Sequence, residues 1–157
     1  WRAMIIGNFG LYKAGKCESD RGCGRNCGFN KERQSRYPDA GRTHNCVNCS
    51  IATDATLAGN PASALPINST KGVPLTVLEK QYGAKFSGVS SLETITQHMI
   101  GGGDGARGIV FGSYGPGQPS HVFNVVNQNG AIRYLDGQTG KPANMSNFKT
   151  LQLLRTN

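Results

Sequence analysis

The chain has 157 residues, 37% of them apolar, and a formal net charge of +8, which is enough for one buried core and too little for two. The 22 glycines point to a loop-rich domain and against a helical bundle. No apolar run reaches the roughly 18 residues of a membrane-crossing helix. The basic residues crowd the front of the chain without interleaved aromatics, which fits a solubilising surface with affinity for acidic partners and makes nucleic-acid recognition unlikely.

The opening, WRAMIIGNFGLYKAG, has a short apolar stretch broken by Gly7 and Gly10 and lacks an initiator Met at position 1. It does not read as a signal peptide but as the start of a domain cut from a longer chain. The first 45 residues are polar, Gly-rich and basic, and read as loops or a loosely ordered arm. We place a basic Cys/Gly-rich arm at 1–36 and a catalytic domain at 37–157. Cys17, Cys23 and Cys27 lie in the arm, and Cys46 and Cys49 follow it, an odd total of 5 that leaves one thiol outside any complete disulfide framework. A zinc site at Cys17, Cys23 and Cys27 needs a fourth ligand, for which His44 and Cys49 are available, but paired CxxC knuckles are missing. One disulfide or unpaired thiols is the simpler alternative.

A helix is expected from Cys46, with Asn45 as N-cap and Gly59 as the residue past its end. Val47, Ile51, Ala55 and Ala58 form its apolar stripe. Pro61 forbids continuation. A second helix is expected over Leu75 to Tyr82, stopped by Gly83. A third runs from about Ser91 to Ile100, with a capping box of Ser90 and Glu93 and an apolar face of Leu92, Ile95 and Met99. Strands follow over Gly108 to Tyr114, His121 to Asn127, Ala131 to Asp136 and Thr150 to Leu154. Asn129-Gly130 signals a two-residue hairpin turn. Helices followed by an antiparallel sheet make an α+β class.

Chemistry concentrates at three of these positions. A thiol is a better nucleophile at a helix N-terminus and beside an imidazolium, and Cys46 is expected in a first helical turn. Its backbone N–H is placed to help form an oxyanion hole. Of the three histidines, His44 is too local to Cys46 and His98 falls late in the third helix, whereas His121 opens a strand after the loop GPGQPS. If Asn129 and Gly130 are the turn residues, Gln128 opposes Ala131, Phe123 opposes Asp136 and His121 opposes Gln138. Asp136 then lies one diagonal step from His121 on the same face, able to orient the imidazole through Nδ1–H. A register slip of one residue would put it on the other face. Each residue also has an ordinary role: His as a polar strand start, Asp before Gly as a turn former, Cys as a small packed hydrophobe. Cys49, with Asn48 before it, is an alternative nucleophile if the helix begins one turn later.

NCVNCSIATDATLAG, then HVFNVVN, then DGQTG resembles the papain-fold toxin domain of bacterial polymorphic toxins, described as glutamine deamidase-like, over roughly 37–143. The resemblance implies a papain-like fold and a triad carried by Cys46, His121 and Asp136. It also implies a place in a secreted effector delivered to a target-cell cytoplasm, a target protein there and a cognate immunity protein. The expected reaction is deamidation of glutamine side chains by acyl transfer, with no metal or organic cofactor. Asn45 and Gln138 are the amides nearest the site for oxyanion or substrate contact. A papain-like protease, a deubiquitinase-like peptidase and a transglutaminase share the same triad. A non-catalytic basic zinc- or partner-binding module is the non-enzymatic alternative. No carboxylate cluster for Mg²⁺ and no zinc-deaminase signature supports a nuclease or base deaminase.

Overall fold

The structure, a computed structural model, describes residues 4–5, 11–14, 46–60, 62–64 and 73–157. In chain order the elements are β1 (Met4–Ile5), β2 (Leu11–Ala14), α1 (Cys46–Leu57), β3 (Ala62–Ser63), α2 (Thr76–Tyr82) and α3 (Leu92–Gly101), then β4 (Arg107–Ser113), β5 (Ser120–Gln128), β6 (Ala131–Asp136), β7 (Lys141–Pro142) and β8 (Thr150–Arg155). A five-stranded antiparallel sheet runs β7-β6-β5-β4-β8, and a small sheet runs β1-β2-β3.

The large sheet separates two cores. On one face, Val47, Ile51 and Ala52 of α1 and Leu78 of α2 pack on Ile109, Val122 and Leu154. On the other, Ile95 and Met99 of α3 pack on Val110, Phe123, Val125, Leu151 and Leu153. Each Val, Leu, Ile, Phe or Met side chain, fully buried, contributes about 1.5–3 kcal/mol. β5 is the central strand, and every residue from 122 to 127 is buried. Strand alternation sends Val122 to the α1 face and Phe123 and Val125 to the α3 face.

The β5–β6 hairpin turns at Asn129 (φ 55°) and Gly130 (φ 87°), the two positive φ angles of a type I′ turn. The ladder starts at Gln128↔Ala131 and runs to Asn124↔Leu135, the register the Asn-Gly turn dictates. At the end of α1, Gly59 (φ 87°) donates to the Thr56 carbonyl and Asn60 to the Ala55 carbonyl, a Schellman closure that needs a left-handed residue at 59.

Four expectations differ from the structure. First, α1 is not a one-faced helix: Asn48, Ser50, Thr53, Asp54 and Thr56 are buried along with Val47 and Ile51, while Ala58 is exposed. Its polar side is covered because β3 and the sheet both pack against it, and polar groups find partners there, such as Asn124 Nδ2 donating to the Ser50 carbonyl at 2.8 Å. Second, the cap of α3 is Ser91, whose hydroxyl accepts from the Thr94 N–H. Ser90 instead donates its N–H to the Leu151 carbonyl at 2.8 Å, so strand pairing claims it. Third, six residues of the first 45, read as loop, are strands. Lys13 and Ala14 pair with Ser63 and Ala62, a long-range partnership that local composition cannot signal. Fourth, β7 falls where the sequence signals no strand; Lys141 and Pro142 extend the sheet by pairing with Asp136 and Leu135.

Candidate active site

Cys46 is the first residue of α1, half-buried and carrying a free thiol. The N–H groups of a first turn, which have no partner within the helix, and the positive end of the helix dipole lie at this position, and no acidic side chain occupies the turn. Cys49 sits about one turn further on, 2% exposed and packed in the α1 core. The helix therefore starts where Cys46, not Cys49, holds the terminal position.

His121 is the second residue of β5 and Asp136 the last of β6. Extending the ladder by one step sets Asp136 opposite Phe123 and diagonal to His121. The two side chains meet: His121 Nε2–H donates to Asp136 Oδ2 at 2.9 Å, with the side chains 20% and 12% exposed. The ring nitrogen is the reverse of the expected one. The imidazole reaches the carboxylate with its far nitrogen, which leaves Nδ1 for the thiol.

Asp136 is fixed from its other side by the turn it begins. Its Oδ1 accepts from the Gln138 N–H at 2.9 Å, and its carbonyl accepts from the Gly140 N–H at 2.8 Å. Gly140 holds φ at 68°, which closes the DGQTG turn. The turn-forming and imidazole-holding roles of Asp136 thus belong to different oxygens of one carboxylate.

Burial disfavours the imidazolium of His121, but hydrogen bonds to Asp136 and Cys46 and the electrostatic pull of the two outweigh it. The net effect raises the group from its ordinary 6.5 to about 9. The histidine is thus held protonated at neutral pH beside a thiol and a carboxylate.

Gln138 contributes a backbone N–H to Asp136, and its half-buried side chain lies two residues past the carboxylate. Asn45, His44 and the cysteines at 17, 23 and 27 lie outside the described residues. Among the described residues no three His, Cys, Asp or Glu side chains cluster closely enough to hold a metal, and no helix is long and apolar enough to cross a membrane. His98 is exposed on α3, with Arg155 Nη1 3.5 Å from its Nε2. The sequence did not signal Lys141, directly across from Asp136 in β7; a two-residue strand containing proline carries no recognisable pattern.

A helix that starts at a cysteine, laid on an antiparallel sheet that pairs a histidine with an aspartate, is the papain-like architecture. The profile of papain fold toxin 1, glutamine deamidase, matches residues 44–141, a span that includes Cys46, His121 and Asp136. The chain belongs to this family of glutamine deamidase toxins. A structure of the Salmonella effector SpvD, in a variant form, aligns with a TM-score of 0.58 at 12% identity, covering 93% of this chain and 85% of that one; the likeness is one of fold. No curated protein matches the chain at a significant level.

Proposed function

We propose that this protein deamidates glutamine side chains of a target protein, with Cys46 as nucleophile, His121 as proton carrier and Asp136 holding the imidazole. The observation that carries the reading is the 2.9 Å His121–Asp136 pair set beside a thiol at the start of α1. The catalytic unit is taken as 37–157. In the first half-reaction the sulfur of Cys46 attacks the substrate carboxamide carbon, and the resulting oxyanion is received by backbone N–H at the start of α1. The His121 imidazolium gives its proton to the departing ammonia as the C–N bond breaks, leaving a thioester. Water then attacks the thioester carbon. His121 takes the water proton, the C–S bond breaks, and glutamate and the thiol are released. Asp136 stays ionised and stabilises the imidazolium each time it forms.

As a member of a toxin family with an effector of similar fold, the protein is read as delivered into a recipient cell, where its target lies, and as neutralised by a cognate immunity protein at home. The net charge of +8 favours a target with an acidic surface.

The test incubates the purified protein with recipient-cytosol proteins and measures ammonia release together with mass gains of about one dalton per glutamine converted. The expected result is both signals in wild type and in Cys49→Ala, and neither in Cys46→Ala or His121→Ala. Cleaved fragments without ammonia would convert the reading to a protease with the same three residues. Signals that survive Cys46→Ala would remove the thiol from the mechanism.

A further inference from the structure

Gly112 opposes His121 directly in the β4–β5 ladder and Leu151 in the β4–β8 ladder. Side chains of directly opposed residues lie on one face with Cβ atoms about 5 Å apart, so a side chain at 112 would stand beside His121. None is there. Its space is filled by the ring of Phe148: a Cβ built on Gly112 would lie 2.4 Å from Phe148 Cδ1, 2.5 Å from Cε1 and 2.8 Å from Cγ. Those are ring atoms of a wedged side chain, not a flexible tip. Phe148 stacks on Phe123 at 5.5 Å and on Tyr114 at 4.7 Å, and Phe123 lies 6.3 Å from the His121 ring. The segment is pinned by the Lys149 N–H, which donates to the Ser113 carbonyl at 2.8 Å. His121 is thus bounded by Asp136 on the β6 side and by Phe123 along its own strand, and on the β4 side the place of the opposing side chain is filled by Phe148 over Gly112.

We propose that Phe148, seated on the bare backbone of Gly112, is a positioning residue for His121, and that glycine at 112 is what admits it. An imidazole with open space on the β4 side has a second rotamer available, away from Asp136 and from the thiol. The ring over Gly112 closes that space, so the hydrogen bond to Asp136 and the approach to Cys46 become the one arrangement left. The inference rests on His121 being the proton partner of Cys46, and the experiment separates the two.

The probe is iodoacetamide, which alkylates Cys46 without any protein substrate, followed at about pH 6.5, below the ordinary thiol range. The variants are Gly112→Ala, Phe148→Leu, Phe148→Ala, the double variant Gly112→Ala with Phe148→Ala, and His121→Ala as reference. Rates are taken at temperatures where each variant is folded by circular dichroism. The expected result is alkylation slowed ~10-fold in Gly112→Ala and less in Phe148→Leu, with the double variant faster than Gly112→Ala because the new methyl occupies space the ring has vacated. In ammonia release the same variants lower kcat with KM little changed. If Gly112→Ala does not fold, Phe148→Leu and Phe148→Ala carry the same comparison. A lower Tm with the wild-type alkylation rate, in whichever of these variants fold, overturns the positioning role and leaves the ring as ordinary core. Wild type alkylating as slowly as His121→Ala overturns the Cys46–His121 pairing itself, and the proposal with it.

Discussion

Two buried aspartates bracket α1, and they are held in opposite ways. Asp54, 4% exposed near the helix C-terminus, accepts from Arg107 Nε at 3.2 Å and Thr156 Oγ1 at 2.5 Å, and is hydrogen-bonded to Tyr82. Asp136, 9% exposed near the Cys46 end, has His121 and a backbone N–H. The partner of Asp54 is a guanidinium that keeps its proton at any relevant pH. The partner of Asp136 is an imidazole that can give its proton up. A carboxylate tied to arginine joins the helix to the sheet; a carboxylate tied to histidine leaves a proton mobile beside a thiol. Both carboxylates are buried and hydrogen-bonded, so what separates the fastening from the proposed reactive site is the titratability of the partner.

Exchanging each aspartate for a neutral residue would expose that difference most strongly. Asp136→Ala should lower kcat for ammonia release by about 10²–10⁴-fold, because the imidazolium loses its stabilising charge and its orientation. Above about pH 9, where the imidazole is neutral in the folded and unfolded chain alike, the accompanying loss of stability should be small by comparison. Asp54→Ala should do the reverse. It strands Arg107, whose side chain is 18% exposed, and should cost about 3 kcal/mol, roughly 10 °C in Tm for a domain of this size. Its activity per folded molecule should stay near wild type. Thermal unfolding and single-variant kinetics read both, and an Asp54→Ala protein that is stable but inactive would dissolve the distinction.

The pH dependence sharpens the same contrast with a smaller effect. Folding raises His121 from 6.5 to about 9, so the folded state holds this proton more tightly than the unfolded chain does. The stabilisation is complete below about pH 6.5 and is lost as pH rises through about 9. Wild-type Tm should therefore decline across that window, and the decline should be shallower in His121→Ala. Equal slopes in the two proteins would mean that the imidazole gains nothing from its neighbours on folding.

The sequence disclosed the Asp136 half of this comparison and concealed the Asp54 half. Asn129-Gly130 fixes a turn type, the turn fixes the register, and the register sets Asp136 diagonal to His121. Each step is local, so a short stretch of sequence carries it. Asp54, Tyr82 and Arg107 come from three elements and Thr156 from the segment past β8, and only the closed fold brings them together. Nothing near Asp54 distinguishes it from a solvent-facing helix residue. The same limit applies to Gly112, whose occupant, Phe148, arrives from beyond β7, and to α1, whose polar side is covered by β3 and by Asn124 of β5. Which ring nitrogen faces the carboxylate depends on the rotamer of one side chain, a detail that no sequence pattern carries.

The mildest probe of the Asp54 cluster is Tyr82→Phe. Burial pushes the Tyr82 hydroxyl strongly upward, and the charge of Asp54 and the hydrogen bond to it push the same way, with Arg107 opposing. The phenol therefore stays neutral and serves as a donor. Removing it leaves Asp54 with Arg107 and Thr156, so no charge is stranded, and the loss should be about 1 kcal/mol, roughly 3 °C in Tm, with kcat unchanged. A loss as large as that of Asp54→Ala would mean that the phenol, not the guanidinium, is the partner on which the buried carboxylate depends. The ion pair would then be the weaker tie, and the guanidinium would no longer mark Asp54 off from Asp136.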